Sequence, residues 1–427
     1  MKKRLLWYVK QHSYFQFLPF LILYLLICLK FAPHNFVDDE ARYVRFATNI
    51  LHGFYSPPFP NIDLWNGPGY PALIAPFLWF KLPLMALRIL NGLMLYFSLI
   101  LVFKTIILFT SYKKALIATV FLGAYFPIFE KLPLILTECF TWFLISLVSY
   151  LIIKTGYQKT FSWKQVSFCA LAIALLTLTK IAFGYVIVAM FLLSAMLFLL
   201  PKSRLAAKKF TAIFALSFLL CVPYLAYTYS LTNKVFYWTN SSGWSLFTMS
   251  APYENDWGDW KDYPQMLENP NYKTFADSVL KLTPLEKDAA YKKKGIENIK
   301  KYPKKYLVNC VANLGRLFFS YPFTNMEQDV KTYFTILPNM FVVVFIVITL
   351  MLSIIYYKKI PEALLVLLLL ILIYLAGSTL VSAFRRMFYI TMPFWTIFIA
   401  YILTNIVTIK VKNKKRYSSF AFLYLIN

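Results

Sequence analysis

Long apolar stretches alternate with short hydrophilic ones along almost the whole chain. Ten hydrophobic spans can be counted, at about 13–31, 84–108, 115–130, 134–153, 166–180, 181–200, 210–230, 333–357, 363–384 and 387–409. Because about 20 apolar residues are needed for a helix to cross a bilayer, the pattern predicts an all-α polytopic membrane protein. We expect about ten transmembrane helices, an amphipathic helix in the first external loop and a small external cap.

The composition agrees with the span pattern. Hydrophobic residues make up 60% of the 427 residues and charged residues only 15%, whereas soluble domains carry roughly 25% charged residues. This excludes a cytosolic enzyme, a secreted disulfide scaffold and a disordered chain. The five cysteines form no CxxC pair, so neither a metal cluster nor a disulfide framework is indicated. The basic N-terminus and first span are interpreted as a signal anchor.

The net charge of +26 is concentrated in short loops. Six segments hold 20 of the 44 Lys and Arg residues but a single acid, Glu362; they are 1–12, 111–114, 154–165, 201–209, 357–362 and 410–416. Basic short loops stay in the cytoplasm, and span parity puts all six there. The same parity puts the loops 32–83 and 231–332 outside. The charge therefore indicates membrane orientation and disfavours nucleic acid binding.

This topology divides the chain into three regions and places several charged residues at the outer end of the helix bundle. Residues 1–230 form an N-terminal transmembrane module that contains the first external loop, 231–332 an external region, and 333–427 the C-terminal helices with a basic tail. Six charged residues interrupt the spans at their outer ends: Arg88, Glu130, Glu138, Lys180, Arg385 and Arg386. Since charges within a membrane tend to mark function, we expect a polar groove in the outer half of the bundle.

The first external loop begins with a predicted amphipathic helix over 39–52. Asp38 fits an N-cap and Gly53 a C-terminal stop. One arc carries Tyr43 and other apolar residues, and the opposite arc is polar, which is typical of a helix on the membrane surface. Asp39 and Glu40 fall on the apolar arc. Acids favour helix N-termini, but two carboxylates aimed at the bundle require a cation, a metal or a substrate.

Two further segments predict local structure. Gly67-Pro68-Gly69 allows either close approach of the backbone to a ligand or an ordinary turn. In the long external loop, Thr283-Pro284-Leu285-Glu286 has the N-cap, Pro and Glu of a helix start. Pro303 ends that helix, and 306–319 is predicted to be a helix whose apolar face rests on the bundle.

Several of these motifs together resemble a family. Asp39-Glu40-Ala41-Arg42-Tyr43, then Gly67-Pro68-Gly69-Tyr70-Pro71, is similar to the first periplasmic loop of GT-C glycosyltransferases. The most similar members are the aminoarabinose lipid A transferases and the bacterial relatives of dolichyl-phosphate-mannose protein mannosyltransferases. Further matches are Thr137-Glu138, Leu178-Thr179-Lys180 and the stretch from Arg386 to Pro393, where Met387 and Ile390 depart from the family's Tyr and Pro.

The resemblance implies transfer of a sugar from a polyprenyl-phosphate donor by an inverting mechanism. A lipid phosphate leaves without a general acid, so one of the two carboxylates of a glycoside hydrolase is dispensable. What remains is a base and cations for the developing phosphate charge. Asp39 is the predicted base, with Glu40 and Glu138 as further catalytic candidates. The predicted substrate-binding residues are Arg42, Tyr43, Tyr70, Lys180, Arg385 and Arg386.

Some roles stay open at this point. Glu138 could orient the acceptor, pair with Lys180 or, with Asp39, help hold a divalent cation such as Mg²⁺; no ligand set is spelled out. His34 and His52 are interpreted as surface residues rather than bases. The expected partners are a polyprenyl-phosphate sugar, membrane lipids and an envelope lipid, glycan or protein as acceptor. The expected location is the inner membrane, with the site on the periplasmic face.

Two other classes of membrane protein fit the span count. A flippase or transporter of lipid-linked sugars would show internal symmetry and helix-breaking Gly or Pro pairs, which the sequence lacks. An oligosaccharide polymerase or ligase would carry its key residues mainly in the late external loop. The acids directly after the first span favour the glycosyltransferase.

Overall fold

The computed structural model describes residues 13–199, 203–320, 324, 328 and 330–407, and every element in them is helical. The predicted basic segments 1–12 and 410–416 lie outside the described residues. Eighteen α-helices follow a first short turn of helix and are labelled in chain order: α1 Leu18–Lys30, α2 Glu40–Leu51, α3 Gly69–Trp79, α4 Leu84–Ile107, α5 Tyr112–Gly123, α6 Thr137–Gly156, α7 Trp163–Thr179, α8 Phe183–Met196, α9 Arg204–Thr232, α10 Ser242–Met249, α11 Tyr263–Glu268, α12 Pro270–Val279, α13 Pro284–Lys301, α14 Pro303–Phe319, α15 Val330–Ile355, α16 Glu362–Val381, α17 Arg385–Tyr389 and α18 Met392–Asn405.

Each predicted hydrophobic span contains one of these helices, so the all-α multi-span prediction is confirmed. Five are long and apolar enough to cross a membrane, namely α4, α6, α9, α16 and the apolar part of α15. Shorter apolar helices, α1, α7, α8 and α18, pack beside them. The prediction for 115–130 needs correction. Its helix α5 has 12 residues, about 18 Å at 1.5 Å per residue, and is followed by a 3₁₀ turn over Phe126–Lys131.

The bundle and residues 231–332, named the external segment after the predicted topology, have separate hydrophobic cores. The larger core runs through the spans, where α4 packs on α6 and α7 packs on α9. A smaller cluster, built around Phe247, Met266, Tyr272 and Tyr291, joins α10 to α13. Among the described residues of 231–332, this second cluster gives the external segment the packing of a small cap.

Of the two predicted N-caps, Thr283 is confirmed and Asp38 is wrong. Thr283 caps α13, where its hydroxyl accepts the Glu286 N–H and the Glu286 carboxylate accepts the Thr283 N–H. Asp38, in contrast, does not cap α2. Asp38 has a left-handed backbone (φ 51°), and the N-cap position belongs to Asp39, whose side chain accepts no capping bond. The carboxylate of Asp39 is held by other partners. Gly53 ends α2 as predicted, with φ 85°.

Helix α14 rests on the bundle, as predicted, but its buried face is mixed. Cys310, Ala312 and Leu317 are buried beside the polar Asn309 and Asn313, which donate to the carbonyls of Met249, Ala251 and Thr379. Four further apolar side chains are exposed: Leu307, Val308, Val311 and Leu314. An exposed apolar face and paired polar groups on the buried face suit a helix in contact with lipid, since unpaired polar groups are costly in hydrocarbon.

We therefore expect α14 to lie in the outer leaflet. The five native cysteines are buried, so a cysteine at Val311, which is 67% exposed, can be labelled selectively. In nanodiscs, Val311→Cys should react with a charged maleimide at least about tenfold more slowly than Lys293→Cys on α13, because hydrocarbon excludes the reagent. After denaturation in SDS the two rates should match. Equal rates in the nanodisc would place α14 in water.

Candidate functional site

A cavity of about 660 Å³ opens at the end of the bundle that carries the charged span ends. Its floor and walls come from the start of α2, the loop before α3, the end of α7 and the turn at α17, and the external segment covers it. Six basic and four acidic side chains line it: Arg42, Lys131, Lys180, Arg316, Arg385, Arg386, Asp38, Asp39, Asp259 and Asp262. The described lining is therefore net cationic, with carboxylates set between the cations.

Asp39 lies at the wall of this cavity between two guanidinium groups. One carboxylate oxygen is 3.1 Å from Arg42 Nη1, and the other is 3.5 Å from Arg386 Nη1. The side chain is 22% exposed. Arg42 also lies over the ring of Trp65, 5.1 Å from its centroid, and its Nη1 donates to Asn66 Oδ1 at 3.4 Å. The first turn of α2 thus presents a carboxylate that is bonded on both oxygens and still reachable from the cavity.

Glu138 and Lys180 form a second charged pair behind this wall. Lys180 Nζ donates to Glu138 Oε1 at 3.1 Å. Lys180 lines the cavity, whereas Glu138 is 1% exposed. Glu138 Oε2 is buried and has no hydrogen-bond partner among the described residues. Glu138 therefore reaches the cavity only through its partner lysine.

The α17 turn supplies two adjacent arginines with different surroundings. Arg385 is tied to Glu130 at 3.1 Å and donates to Thr335 Oγ1 at 3.3 Å. Arg386 pairs with Asp39 and lies over the Phe384 ring. Desolvation lowers the pKa of Arg386, but the carboxylates of Glu138 and Asp39 outweigh it and raise that pKa above its ordinary value. Arg386 is thus the cation on which both carboxylates act.

Tyr43 and Tyr70 support the wall from behind. Tyr43 accepts a hydrogen bond from Asn66 Nδ2 at 3.1 Å, and the ring of Tyr70 packs edge-on against it at 5.2 Å. Burial, then the Glu138 and Asp39 carboxylates, raise the pKa of the Tyr43 phenol. Tyr43 is therefore a neutral hydroxyl at the cavity, whereas Tyr70 is 1% exposed and lies outside the lining.

The glycines of the Gly67-Pro68-Gly69 motif explain how this wall closes. A Cβ on Gly67 would lie 2.1 Å from the Leu178 carbonyl oxygen, and one on Gly69 would lie 2.6 Å from Thr179 Oγ1. Only glycine allows the loop to pack directly on the end of α7, and this contact brings Trp65 and Asn66 beside Lys180. The close approach is to protein backbone and side chain, and Gly67 also lines the cavity.

Glu40 lies away from the cavity and serves the fold. It is 0% exposed, its carboxylate accepts the N–H groups of Val37 and Ile135 at 2.7 Å each, and Arg88 lies 3.8 Å away. The two backbone bonds fix the start of α2 against the turn before α6. Glu40, predicted as a further catalytic residue, is thus next to Asp39 in the sequence but is buried in a different part of the structure.

We expect Glu40→Ala to destabilise the protein by about 3 kcal/mol, because it leaves the buried Ile135 N–H, the part-buried Val37 N–H and Arg88 without their partner. The matched control is Glu297→Ala, whose side chain is 53% exposed and 3.9 Å from Lys294; it should change stability by less than about 0.5 kcal/mol. Unfolding midpoints in detergent measure both. A Glu40→Ala variant as stable as the control would remove this structural role.

The cavity residues do not fit a divalent cation. Both oxygens of Asp39 are paired with arginines, one oxygen of Glu138 is bonded to Lys180, and the other is buried behind the cavity wall. In the part of the chain that the structure describes, no group of three His, Cys, Asp or Glu side chains could hold a metal ion. The net cationic lining suits an anion better than a cation.

Sequence reasoning missed the part of the lining that comes from the external segment. Ser241, Ser245, Asp259, Trp260 and Arg316 line the cavity from this segment, and Trp65 of the first loop, also missed, lines it beside them. Arg316 is 3% exposed and lies 3.5 Å from Asp259. Its position on the same face of α14 as Asn309 and Asn313 was the available signal, because three polar residues on one face of an otherwise apolar helix mark the buried side.

Comparison with solved structures finds similar chains at low sequence identity. The oligosaccharyltransferase AglB from Archaeoglobus fulgidus, in complex with an inhibitory peptide and a dolichol-phosphate, is 14% identical with a TM-score of 0.48, and the match covers 92% of this chain and 50% of that one. A crystal structure of the Archaeoglobus fulgidus oligosaccharyltransferase tethered with an acceptor peptide is 16% identical with a TM-score of 0.48, and the match covers 92% of this chain and 49% of that one. ArnT from Cupriavidus metallidurans, bound to undecaprenyl phosphate, is 13% identical with a TM-score of 0.38 and coverage of 90% and 76%.

The chain spans about half the length of AglB. No family model matches the sequence, and no curated protein matches it.

Proposed function

We propose that this chain is an integral membrane glycosyltransferase that moves a sugar from a polyprenyl-phosphate donor to an envelope acceptor. The observation that carries the proposal is the meeting, in one cavity, of a carboxylate (Asp39) with three cations from two distant parts of the chain: Lys180 after α7, and Arg385 and Arg386 in α17. In the sequence these residues are up to about 350 positions apart. The sequence resemblance supports the same assignment.

The cations suit the phosphate of the donor. Arg386 can hold a phosphate with two parallel hydrogen bonds, while Lys180 adds a point charge. As the bond between the sugar's anomeric carbon and the phosphate oxygen breaks, the electron pair stays on that oxygen, and cations already in place stabilise the developing charge. The apolar chain of the donor would remain in the outer leaflet.

Asp39 suits the role of base. The acceptor hydroxyl attacks the anomeric carbon from the side opposite the phosphate, so that the configuration inverts, and its proton passes to the Asp39 carboxylate. In the described geometry Arg386 holds one oxygen of Asp39 at 3.5 Å. A bound phosphate competes for Arg386 and would release that oxygen toward the acceptor. Donor binding and activation of the base are then coupled through a single arginine.

The external cover suits the acceptor. Hydroxyl groups of Ser241 and Ser245, the ring of Trp260 and the carboxylate of Asp262 line that side of the cavity, and they differ in chemistry from the cationic wall. An envelope lipid, glycan or protein would enter here. The positive-inside pattern supports a location of this end of the bundle at the periplasmic face of the inner membrane.

Binding of undecaprenyl phosphate to the purified protein tests the proposal. Arg386→Gln should weaken binding at least about tenfold, equivalent to 1.4 kcal/mol, because a charge-assisted bidentate contact is lost. Arg45→Gln is the control, since Arg45 pairs with Asp63 outside the cavity and is 58% exposed. Equal affinity for the wild type and the Arg386 variant, or no binding by the wild type, would refute the phosphate site.

A further inference from the structure

A second cavity, of about 210 Å³, lies at the opposite end of the bundle. Helix α6 connects the two ends. Glu138 lies behind the wall of the first cavity and Gly156 lines the second, about 27 Å apart at 1.5 Å per residue. The lining comes from the ends of α4, α6 and α18 and the starts of α9 and α16. By the charge pattern this end faces the cytoplasm, at the depth of the inner leaflet's headgroups.

Lys209 is a buried cation at this cavity. Its side chain is 2% exposed, and its ammonium donates to the carbonyl oxygens of Thr155 and Gln158, at 3.0 and 2.5 Å. An ammonium has three N–H donors, so these two neutral acceptors leave one donor for a ligand. A buried charge is costly unless it is paired, and neither carbonyl supplies a negative charge.

Glu362 provides a negative charge at the rim of the same cavity. It is exposed, and one of its oxygens accepts a bond from the Ser203 hydroxyl. It acts electrostatically on Lys209. Gly156 brings the two together, because a Cβ there would lie 2.4 Å from the Cβ of Ala363, next to Glu362. Because α6 and α16 cross closely here, Lys209 lies inside the cavity while Glu362 lies at its rim.

The remaining lining is apolar and aromatic. Phe109, Ile153, Phe210 and Leu364 form the walls, and Leu205 and Tyr157 form an exposed rim. A ligand for this cavity therefore has an anionic group for Lys209, a cationic group for Glu362 and hydrocarbon for the walls. A purely anionic lipid would meet Glu362 with like charge.

We propose that this cavity binds the headgroup of a zwitterionic phospholipid of the inner leaflet. The phosphate accepts the third Lys209 N–H, and the primary ammonium of the headgroup pairs with Glu362. The acyl chains lie along the apolar rim. The site is separate from the transfer cavity and does not depend on the chemistry proposed there.

Native mass spectrometry of the delipidated protein, titrated with phosphatidylethanolamine or phosphatidylglycerol, tests this site. We expect the wild type to bind phosphatidylethanolamine more tightly. Lys209→Met should weaken that binding at least tenfold, whereas Lys208→Met, a change to the neighbouring lysine that lies over the Phe161 ring, should leave it unchanged. Equal loss in the two variants, or tighter binding of phosphatidylglycerol by the wild type, would overturn the proposal.

Glu362→Gln keeps the test decisive if Lys209→Met unfolds. The amide can still accept from Ser203, so the fold should persist, but the carboxylate partner of the headgroup ammonium is gone. The preference for phosphatidylethanolamine over phosphatidylglycerol should then disappear or reverse. A Glu362→Gln protein that keeps the full wild-type preference would contradict the assignment.

Discussion

Asp39→Asn should reduce sugar transfer by about 10²- to 10⁴-fold, the range expected when a general base is removed. The amide is nearly the same size, so membrane insertion and the unfolding midpoint should stay close to wild type. Transfer is measured as sugar incorporated into envelope material by cells that lack the native chain and carry the variant. Full activity in Asp39→Asn would exclude Asp39 as the base.

A second readout separates a base from a structural anchor. Since the neutral amide introduced by Asp39→Asn would no longer neutralise Arg386, the variant should bind undecaprenyl phosphate at least as tightly as the wild type. An anchor that merely holds Arg386 in position would lose phosphate binding together with transfer. Asp63→Asn is the matched control, because Asp63 is also paired with an arginine and is 25% exposed, but lies outside the cavity lining. Its transfer rate should remain near that of the wild type.

Lys180→Met should destabilise the protein by about 3–5 kcal/mol, because it leaves the Glu138 carboxylate buried without its counter-charge. Glu138 is 1% exposed and its second oxygen already lacks a hydrogen-bond partner among the described residues. The measurement is the free energy of unfolding in mixed micelles. Lys154→Met is the control, since Lys154 is exposed and donates only to Tyr150; it should change stability by less than about 0.5 kcal/mol.

The double variant Glu138→Gln with Lys180→Met distinguishes a charge effect from a packing effect. If the single substitution is harmful because a charge is left unpaired, removing that charge as well should restore about 1–3 kcal/mol. A double variant that is as unstable as the sum of the two single ones would show that the lysine stem packs the site and that its charge is unimportant. Restored stability in the double variant would show that the charge of Glu138 holds Lys180 in position at the cavity.

The sequence predicted those features that depend on span composition and on local signals. Hydrophobic runs located the helices, and the capping residues Thr283 and Glu286 located the start of α13 because the motif is satisfied within four residues. It also drew attention to the charged span ends, and all six are in ion pairs in the structure: Arg88 with Glu40, Glu130 with Arg385, Glu138 with Lys180, and Arg386 with Asp39.

What the sequence did not predict depends on which neighbour each side chain meets. Asp39 and Glu40 are adjacent acids, yet Asp39 lines the cavity while the Glu40 carboxylate accepts a buried hydrogen bond from the Ile135 N–H. No local sequence pattern reveals that partner. Helix α14 rests on the bundle as expected, but its exposed apolar side chains and its buried asparagines were not foreseen, because a single apolar arc facing protein was assumed. The external contribution of Trp260 and Arg316 depends on how the cover folds back over the bundle.

Mass spectrometry of the glycans, glycolipids and polyprenyl-phosphate sugars of cells that lack this chain tests the proposed transfer most directly. We expect one sugar to disappear from an envelope acceptor while the same sugar accumulates on a polyprenyl phosphate, at the outer face and open to periodate. Accumulation of that lipid-linked sugar at the inner face alone, or an envelope with every sugar still present, would contradict transfer at the Asp39 cavity.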